Sequence, residues 1–358
     1  MNQHNIDLRS DTVTKPTNEM RTTMFSAKVG DDVFEEDVSV HLLQTTIADY
    51  FGKESALFFP SGTMSNLTAI LSWCNKRGSE IIVGNNSHIF LFEQGSSAQY
   101  GGVSIHTVQN LEDGTMILED VENAIRDDDI HEPSTELIAI ENTHNACGGK
   151  VLPEEFFFHL RKLANEHNLP IHLDGARIWN ALQESEMTPV KMASYVDSMS
   201  VCLSKGLGAP IGSLLLGSKE LITKARRIRK SLGGGMRQSG VVAVAGLVGF
   251  NDYLNNLLEN DHNNIKILAN IINDLPGFKI QNEVHTNILF IHIHSDIHDE
   301  QSISLLLKKK NILVSAWSKN LIRVVTHRDI TRAEIEYVGA IFKEISTLLC
   351  DISHPDSK

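Results

Sequence analysis

An acidic residue and a lysine, each set among small residues, offer the clearest chemistry in this sequence. Asp174 ends an apolar run and is followed by Gly175-Ala176-Arg177, and Lys205 lies further along in Ser204-Lys205-Gly206-Leu207-Gly208. Enzymes that use pyridoxal 5'-phosphate (PLP) need such a pair, because a carboxylate keeps the pyridine nitrogen protonated and a lysine amine forms the Schiff base. The alternative is a helix-capping aspartate and a solvent-exposed lysine. The ordered pair favours a PLP site.

A second segment has the composition of an anion-binding turn. Ser61-Gly62-Thr63 precedes an apolar helical pattern, and the free N–H groups at the start of a helix attract a phosphate. An ordinary helix N-cap is the alternative. The segment matches neither GxxxxGK[ST] nor GxGxxG, which excludes two common nucleotide-binding loops. The basic run 224–230 and the glycine-rich 233–238 offer further cations, although most of that run suits a solvated helix face.

Length and composition limit the classes of protein to consider. The chain has 358 residues, 41% of them hydrophobic and 22% charged, which is typical of a globular protein with two domains. A net charge of −13 argues against a nucleic-acid partner or an anionic membrane. No apolar run approaches the length of a membrane span, and residues 1–5 lack the features of a signal peptide. Four scattered cysteines without a CxxC pair suit reduced thiols. We expect a cytoplasmic protein.

The elements that must position these residues alternate between helices and strands. Helical spacing predicts helices over 40–50, 62–73 and 153–167, and short apolar runs predict strands over 80–83, 137–141, 170–174, 198–203 and 213–217. This order is typical of a mostly parallel sheet with crossover helices. A long helix is predicted over 240–259, followed by a break in the acidic, Asn-rich stretch 260–264 and by strands over 288–294 and 322–326. We therefore expect a large domain over 1–259 and a small domain over 260–358.

Segments spread along nearly the whole chain together resemble the threonine aldolases, which are PLP enzymes with the aspartate-aminotransferase-like (fold type I) fold. These segments are 7–14, 30–33, 61–63, 141–145, 172–177, 204–210, 233–238 and 323–327. The resemblance implies an α/β fold with a mostly parallel sheet in the large domain and a smaller C-terminal α+β domain. It also implies PLP as the cofactor, a small amino acid as the substrate, and a homo-oligomer, specifically a tetramer built as a dimer of dimers.

The resemblance also assigns roles to individual residues. Lys205 would form the Schiff base, Asp174 would face the pyridine nitrogen, and Gly62 and Thr63 would hold the phosphate. Further matches are His88 stacked on the cofactor ring, His131 near the substrate β-hydroxyl, Lys230 and Arg237 reaching the phosphate from a neighbouring subunit, and Ser10, Arg177 and Arg323 on the substrate carboxylate. His88 and His131 both suit the β-hydroxyl base, directly or through a water. We expect no metal, and the alternating His292 and His294 suit a polar outer strand face.

Three functions are compatible with these residues. The favoured one is retro-aldol cleavage of L-threonine or L-allo-threonine to glycine and acetaldehyde. A second is another fold type I PLP lyase that catalyses β-elimination from a small amino acid, and a third is a scaffold protein without catalysis, against which the intact Asp174 and Lys205 argue.

The chain departs from the family pattern at two places. Phe34 and Glu35 stand where the family usually has tyrosine and glycine, and the segment 315–320 replaces a shorter connection. Both changes bear on the expected aldehyde pocket, so the sequence leaves the threo or erythro preference open.

Overall fold

The structure, a computed structural model, describes residues 5–281, 283–295 and 297–352. Within them the chain forms two compact units that are treated separately below. The larger unit is Pro16–Asp252, and the smaller unit consists of the described parts of Met1–Lys15 and Tyr253–Lys358.

The strands and helices, in chain order, have the following bounds. The strands are β1 (Ile6–Asp7), β2 (Ser55–Phe59), β3 (Ser79–Gly84), β4 (Ser104–Val108), β5 (Ser134–Glu141), β6 (Ile171–Gly175), β7 (Ser198–Cys202), β8 (Ser213–Gly217), β9 (Phe278–Ile280), β10 (Ile288–Ile293), β11 (Ile312–Leu313), β12 (Ser315–Ser318) and β13 (Leu321–Val325). The helices are α1 (Asn18–Phe25), α2 (Val38–Phe51), α3 (Gly62–Trp73), α4 (His88–Leu91), α5 (Leu118–Asn123), α6 (Glu154–Glu166), α7 (Ile178–Glu184), α8 (Pro189–Ser194), α9 (Lys219–Ser231), α10 (Gly240–Leu254), α11 (Leu257–Asn273), α12 (Glu300–Lys309) and α13 (Arg332–Ile352).

The larger unit is built on a seven-stranded sheet in the order β2-β8-β7-β6-β5-β3-β4. The neighbours from β7 through β6, β5 and β3 to β4 are parallel, whereas β8 runs antiparallel to both β2 and β7. Every residue of β3, β6, β7 and β8 is buried, as expected for strands covered on both faces. The amphipathic α6 is one of the covering helices and buries Phe156, Phe157 and Leu160 on one face. The predicted mostly parallel sheet is confirmed.

The smaller unit has its own sheet and its own core. Its four-stranded antiparallel sheet has the order β12-β13-β10-β9, and β1 pairs in parallel with β11, so that Ile6 lies opposite Ile312. The apolar faces of α11 and α13 pack on this sheet through residues such as Leu268 and Phe342, with Ile6 and Leu8 in the same cluster. The predicted strands near 288–294 and 322–326 correspond to β10 and β13.

The predicted break at 260–264 was wrong, because this stretch lies inside α11. The chain turns at Asn256 instead, whose φ of 63° is left-handed. Polar side chains in the predicted break are buried by tertiary contacts. The Asn264 side-chain amide donates to the Ile330 carbonyl over 3.1 Å, and the Asp261 carbonyl accepts from the Thr326 hydroxyl over 2.7 Å. The larger unit ends at Asp252, and the segment containing Ile6 packs within the smaller unit.

The helices were also compared with the requirements of a membrane span. Among the described residues, no single helix is both long enough and apolar enough to span a membrane, and only the bent pair α10 and α11 meets both criteria when taken together.

Candidate active site

The candidate site lies in the larger unit where several strands end. Asp174 is near the end of β6, Glu141 ends β5, His88 follows β3, and Lys205 follows β7. The carboxyl ends of neighbouring parallel strands meet at one edge of a sheet, which is where ligands bind in α/β proteins. The fold therefore brings residues that are distant in the sequence to one edge.

Asp174 is a buried carboxylate with fixed hydrogen-bond partners. Its side chain is 1% exposed. The Asn66 side-chain amide donates to Oδ2 over 2.9 Å, and the Ala176 N–H donates to Oδ1 over 3.0 Å. Asn66 lies on α3, one turn after the helix begins at Gly62. Two hydrogen-bond donors compensate part of the cost of burying this charge.

His88 and Glu93 form a second polar pair beside Asp174. The His88 Nδ1 lies 3.0 Å from Glu93 Oε1, and the backbone N–H of His88 donates to Glu141 Oε2 over 2.7 Å. Burial alone would lower the pKa of His88, but the hydrogen bond to Glu93 and the charges of Asp174, Glu93 and Glu141 outweigh it and raise this pKa. Burial raises the pKa of Glu93. The imidazolium form of His88 is thus stabilised by the acids around it.

These three side chains are also close enough together to be tested as a metal site. The ligand atoms of His88, Glu93 and Asp174 lie within 4.8 Å of one another. However, the Asn66 amide nitrogen donates to both carboxylates, at 2.9 Å from each. A donor shared by Glu93 Oε1 and Asp174 Oδ2 stabilises both carboxylates without a cation, so this arrangement favours a hydrogen-bond network.

The charges of Lys205, Arg177 and Asp174 all act on the buried thiol of Cys202. Burial raises the pKa of this thiol, Lys205 and Arg177 lower it electrostatically, and Asp174 raises it. The backbone at Gly62 also approaches this thiol, since a Cβ on Gly62 would lie 2.8 Å from Cys202 Sγ. The Gly62 backbone and the charges of Asp174, Arg177 and Lys205 therefore all bear on this thiol.

The start of α3 has the features predicted for a phosphate site. The Ser61 hydroxyl accepts from the Met64 N–H over 3.2 Å and caps the helix, with Gly62 and Thr63 in its first turn. Arg177 is buried at the start of α7, and its Nη1 donates to the Asn145 side-chain oxygen over 3.2 Å. A buried acid, a nearby lysine and a helix N-terminus without space for a Cβ fit the pyridine nitrogen, aldehyde and phosphate of PLP.

His131, Lys230 and Arg237 have surroundings of their own in the larger unit. His131 lies in the loop before β5 with its side chain 83% exposed, and its Nδ1 is 2.6 Å from Asp129 Oδ1. Lys230 lies near the end of α9 and packs beside Gly235. The Arg237 Nη1 pairs with Asp31 Oδ2 over 2.8 Å, and its side chain is largely exposed. Within one chain, none of the contacts described for these three residues involves the residues around Cys202.

The remaining two predicted residues belong to the smaller unit. The Ser10 hydroxyl accepts from the Thr12 N–H over 3.3 Å and caps a short 3-10 helix. Arg323 is buried on β13, with its guanidinium carbon 5.0 Å from the centre of the Trp317 ring. Trp317 is in the 315–320 segment that departs from the family pattern, so this segment packs directly against a predicted substrate-binding arginine.

The other departure is a surface feature. Glu35 has a left-handed φ of 62°, a conformation that favours the glycine found in the family. Its carboxylate pairs with Arg226 over 2.8 Å, and this contact offsets part of the backbone strain. Phe34 is largely exposed. Neither side chain has a described contact with the residues around Cys202.

Sequence reasoning missed Asn66 and Glu93. Both are buried, and both contact residues of the site. The available signal was an amide within the apolar stretch of α3 and an acid soon after His88, and neither is distinctive without the fold.

Comparison with known proteins decides the family. The model of the beta-eliminating lyase family matches residues 7–296. A low-specificity L-threonine aldolase from Arabidopsis thaliana is 42% identical over 352 residues, which cover 96% of this chain and 97% of the relative. A low specificity L-threonine aldolase from Escherichia coli K12 is 41% identical over 94% of this chain and 97% of its own length. The chain belongs to the threonine aldolase family.

Solved structures agree with the fold of this threonine aldolase family member. A Leishmania major threonine aldolase superposes with a TM-score of 0.81 at 19% identity and covers 95% of this chain and 99% of its own. A variant of SPT solved with PLP gives a TM-score of 0.74 at 15% identity. The fold type I architecture predicted from the sequence is therefore confirmed.

Proposed function

We propose that this protein is a PLP-dependent carbon-carbon lyase that cleaves L-threonine, L-allo-threonine and related β-hydroxy-α-amino acids to glycine and an aldehyde. The observation that carries this proposal is the buried carboxylate of Asp174, held by Asn66 and Ala176 at the carboxyl edge of the parallel strands, with Lys205 following the neighbouring strand β7. The identity of over 40% to threonine aldolases across nearly the whole chain agrees with it.

PLP, when bound, would supply an electron sink for the bonds at the α-carbon of the substrate. Asp174 would hold a proton on the pyridine nitrogen, since its buried carboxylate is kept in place by Asn66 and Ala176. The amine of Lys205 would hold the cofactor covalently, and Gly62 and Thr63 would hold its phosphate at the start of α3.

The substrate carboxylate is assigned to Ser10, Arg177 and Arg323. Each charge-assisted hydrogen bond to it is worth about 1.5–3 kcal/mol. Such a clamp orients the Cα–Cβ bond for cleavage. His88 and His131 are the imidazoles assigned to the β-hydroxyl, whose proton must be removed as the bond breaks.

The larger assembly is also proposed. Lys230 and Arg237 lie at the surface of the larger unit and are assigned to the phosphate of a neighbouring subunit, which requires a homo-oligomer. We assign a tetramer built as a dimer of dimers, a cytoplasmic location, and a small amino acid as the partner, with no nucleic acid or membrane.

A β-eliminating PLP lyase is the second candidate, because the matching family is described by that activity. The two are separated by their products from L-threonine and L-allo-threonine. Aldol cleavage gives glycine and acetaldehyde in equal amounts, whereas elimination gives 2-oxobutyrate and ammonia. Predominant 2-oxobutyrate would overturn the proposal. Lys205→Ala should abolish turnover in either case, and Lys224→Ala on the exposed face of α9 is the matched control.

The shared site has its own test. Homo-oligomers of Lys205→Ala and of Arg237→Ala should each be nearly inactive. If the two residues meet across a subunit interface, random reassembly of equal amounts gives hybrids with one native site each, and about a quarter of wild-type activity returns by two-fold counting. Hybrids that form, as shown by mass, but remain inactive would contradict the shared site.

A further inference from the structure

A series of hydrogen bonds leads from the half-buried Trp73 to the candidate site, and its first member has a donor that cannot accept. The indole Nε1 of Trp73 can only donate, and it donates to the Ser198 hydroxyl oxygen over 3.0 Å. The Ser198 hydroxyl hydrogen is then available to His172 Nδ1, which lies 2.9 Å away. His172 is fully buried, and burial lowers its pKa to about 4, so the ring is neutral.

The neutral ring of His172 orients Asn66. Since Nδ1 accepts from Ser198, the single ring hydrogen is on Nε2, which lies 3.1 Å from Asn66 Oδ1. The amide nitrogen of Asn66 then faces the opposite way and donates one hydrogen to Glu93 Oε1 and the other to Asp174 Oδ2. The two carboxylates can only accept, so they require the same orientation of the Asn66 amide as the ring of His172 does.

This network determines the hydrogen between Glu93 and His88. The ionised Glu93 carboxylate can only accept, and Oε1 accepts from both Asn66 and His88, so the hydrogen in the 3.0 Å contact is on His88 Nδ1. In the neutral ring, the lone pair is therefore on Nε2. Within the described residues, the hydrogen bond of the His88 ring is made at Nδ1, which leaves Nε2 available, and the side chain is 30% exposed. An orienting acid on one nitrogen and a free lone pair on the other is the arrangement of a general base.

We propose that Glu93 is a positioning residue that makes His88 the base for the substrate β-hydroxyl, an inference that rests on the proposed aldolase function. The hydroxyl O–H bond breaks, its proton binds Nε2, and the oxygen electron pair forms the carbonyl of the aldehyde as the Cα–Cβ bond breaks. The electron pair of the Cα–Cβ bond remains with the α-carbon and forms the additional C–H bond of glycine, so one proton is returned to that carbon in each turnover.

The surroundings of the two candidate histidines favour this choice. His131 is also paired with an acid, but both side chains are exposed to solvent, where such a pair contributes little. The acid beside His88 is buried, with Glu93 1% exposed in its side chain. The charged groups facing His88 are Glu93, Asp174 and Glu141. All three are acids, so each stabilises the imidazolium formed when His88 takes the proton.

Glu93→Gln in the holoenzyme tests the proposal. The change keeps the shape of the side chain but removes the negative charge, so the pKa of His88 should fall. Deuterium exchange at the C2–H of individual histidines, followed by mass spectrometry, measures this pKa independently of activity. The pKa of His88 should move down in Glu93→Gln and stay unchanged in Glu122→Gln. Glu122 is a matched control because it pairs with His167 over 3.5 Å at the surface.

Glu93→Gln should also shift the pH dependence of catalysis in a defined direction. His88 acts in its neutral form, so the acid limb of kcat/KM against pH should move to lower pH in Glu93→Gln. At the plateau, kcat should fall about 10²-fold or more, because the base is weaker and its tautomer is no longer fixed. KM should change little. Glu93→Asp restores the charge at a greater distance, so the pKa of His88 should recover in part, and it provides a second test if Glu93→Gln folds poorly.

Two outcomes would overturn the proposal. One is an unchanged His88 pKa together with an unmoved acid limb, which would reduce Glu93 to a structural residue. The other is a wild-type plateau rate in Glu93→Gln. Both are distinct from a failure of the aldolase function itself, since that failure would appear in the wild-type products as 2-oxobutyrate and ammonia, whatever the state of His88.

Discussion

Removing one partner of the buried ion pair between Arg229 and Asp32 should strongly destabilise the larger unit. Arg229 Nη2 lies 2.7 Å from Asp32 Oδ2, and Nη1 donates to the Phe58 carbonyl over 2.7 Å. The two side chains are 2% and 4% exposed. Arg229→Met leaves the Asp32 carboxylate buried without its cation, which costs about 3–5 kcal/mol. The lost bond to Phe58 adds about 1 kcal/mol, so the free energy of unfolding should fall by about 4–6 kcal/mol.

Arg226→Met is the matched control for this prediction. Arg226 lies one turn earlier on α9 and pairs with Glu35 over 2.8 Å, but these side chains are 30% and 68% exposed. Removing an exposed pair costs about 0–1 kcal/mol, so the same substitution should have a much smaller effect. Adding Asp32→Asn to Arg229→Met removes the unpaired charge and should recover part of the loss.

Urea unfolding followed by tryptophan fluorescence measures these differences. Protein and PLP concentrations must be fixed, because cofactor and subunit binding add to the apparent stability. Equal losses in Arg229→Met and Arg226→Met would refute the reasoning, as would the absence of any recovery in the double variant.

Three further predictions follow from single contacts. The pKa of His172 is about 4 when folded and 6.5 in the reference state, so the unfolded chain binds more protons between these values. The free energy of unfolding should therefore fall as the pH falls from 6.5 towards 4, by up to about 1.4 kcal/mol per pH unit. In urea unfolding, the free energy of His172→Gln should depend less steeply on pH than that of the wild type. Equal slopes in the two proteins would contradict this prediction. Gly62→Ala places a methyl 2.8 Å from Cys202 Sγ, so the affinity for PLP should fall about tenfold in a titration. Adding Cys202→Ala removes the clash and should restore the affinity. Unchanged affinity of the single variant would show that the backbone adjusts freely. Arg323→Lys keeps the charge but loses the planar fork, so KM should rise about 10–100-fold, and unchanged steady-state kinetics would remove Arg323 from the substrate site.

The sequence predicts those elements whose pattern is decided locally. The bounds of α3 and β8 match the prediction, because Ser61 caps the helix and β8 is a short apolar run buried along its whole length. The sequence does not predict that Asp261 and Asn264 lie within a helix. These polar residues suggest a loop, but tertiary hydrogen bonds and burial keep them inside α11.

The residues of the candidate site also fall into those that the sequence predicts and those that it does not. Asp174, Lys205 and Gly62 stand in recognisable motifs, and the fold brings them together. Glu93 and Asn66 could not have been selected, because an isolated acid or amide in a sequence usually lies at the surface, and their importance depends on contacts with His88 and with Asp174 across the fold. The roles of His131, Lys230 and Arg237 stay predictions, since they concern a bound substrate and a neighbouring subunit.

The pairing of β1 with β11 has a consequence for how the protein is made. Ile6 and Leu8 belong to the core of the smaller unit, yet Ile6 lies opposite Ile312, which leaves the ribosome long afterwards. At about 5–20 residues per second, this strand waits on the order of tens of seconds for its partner. During that interval the larger unit can emerge in full, while an early apolar segment is exposed to chaperones and to other nascent chains.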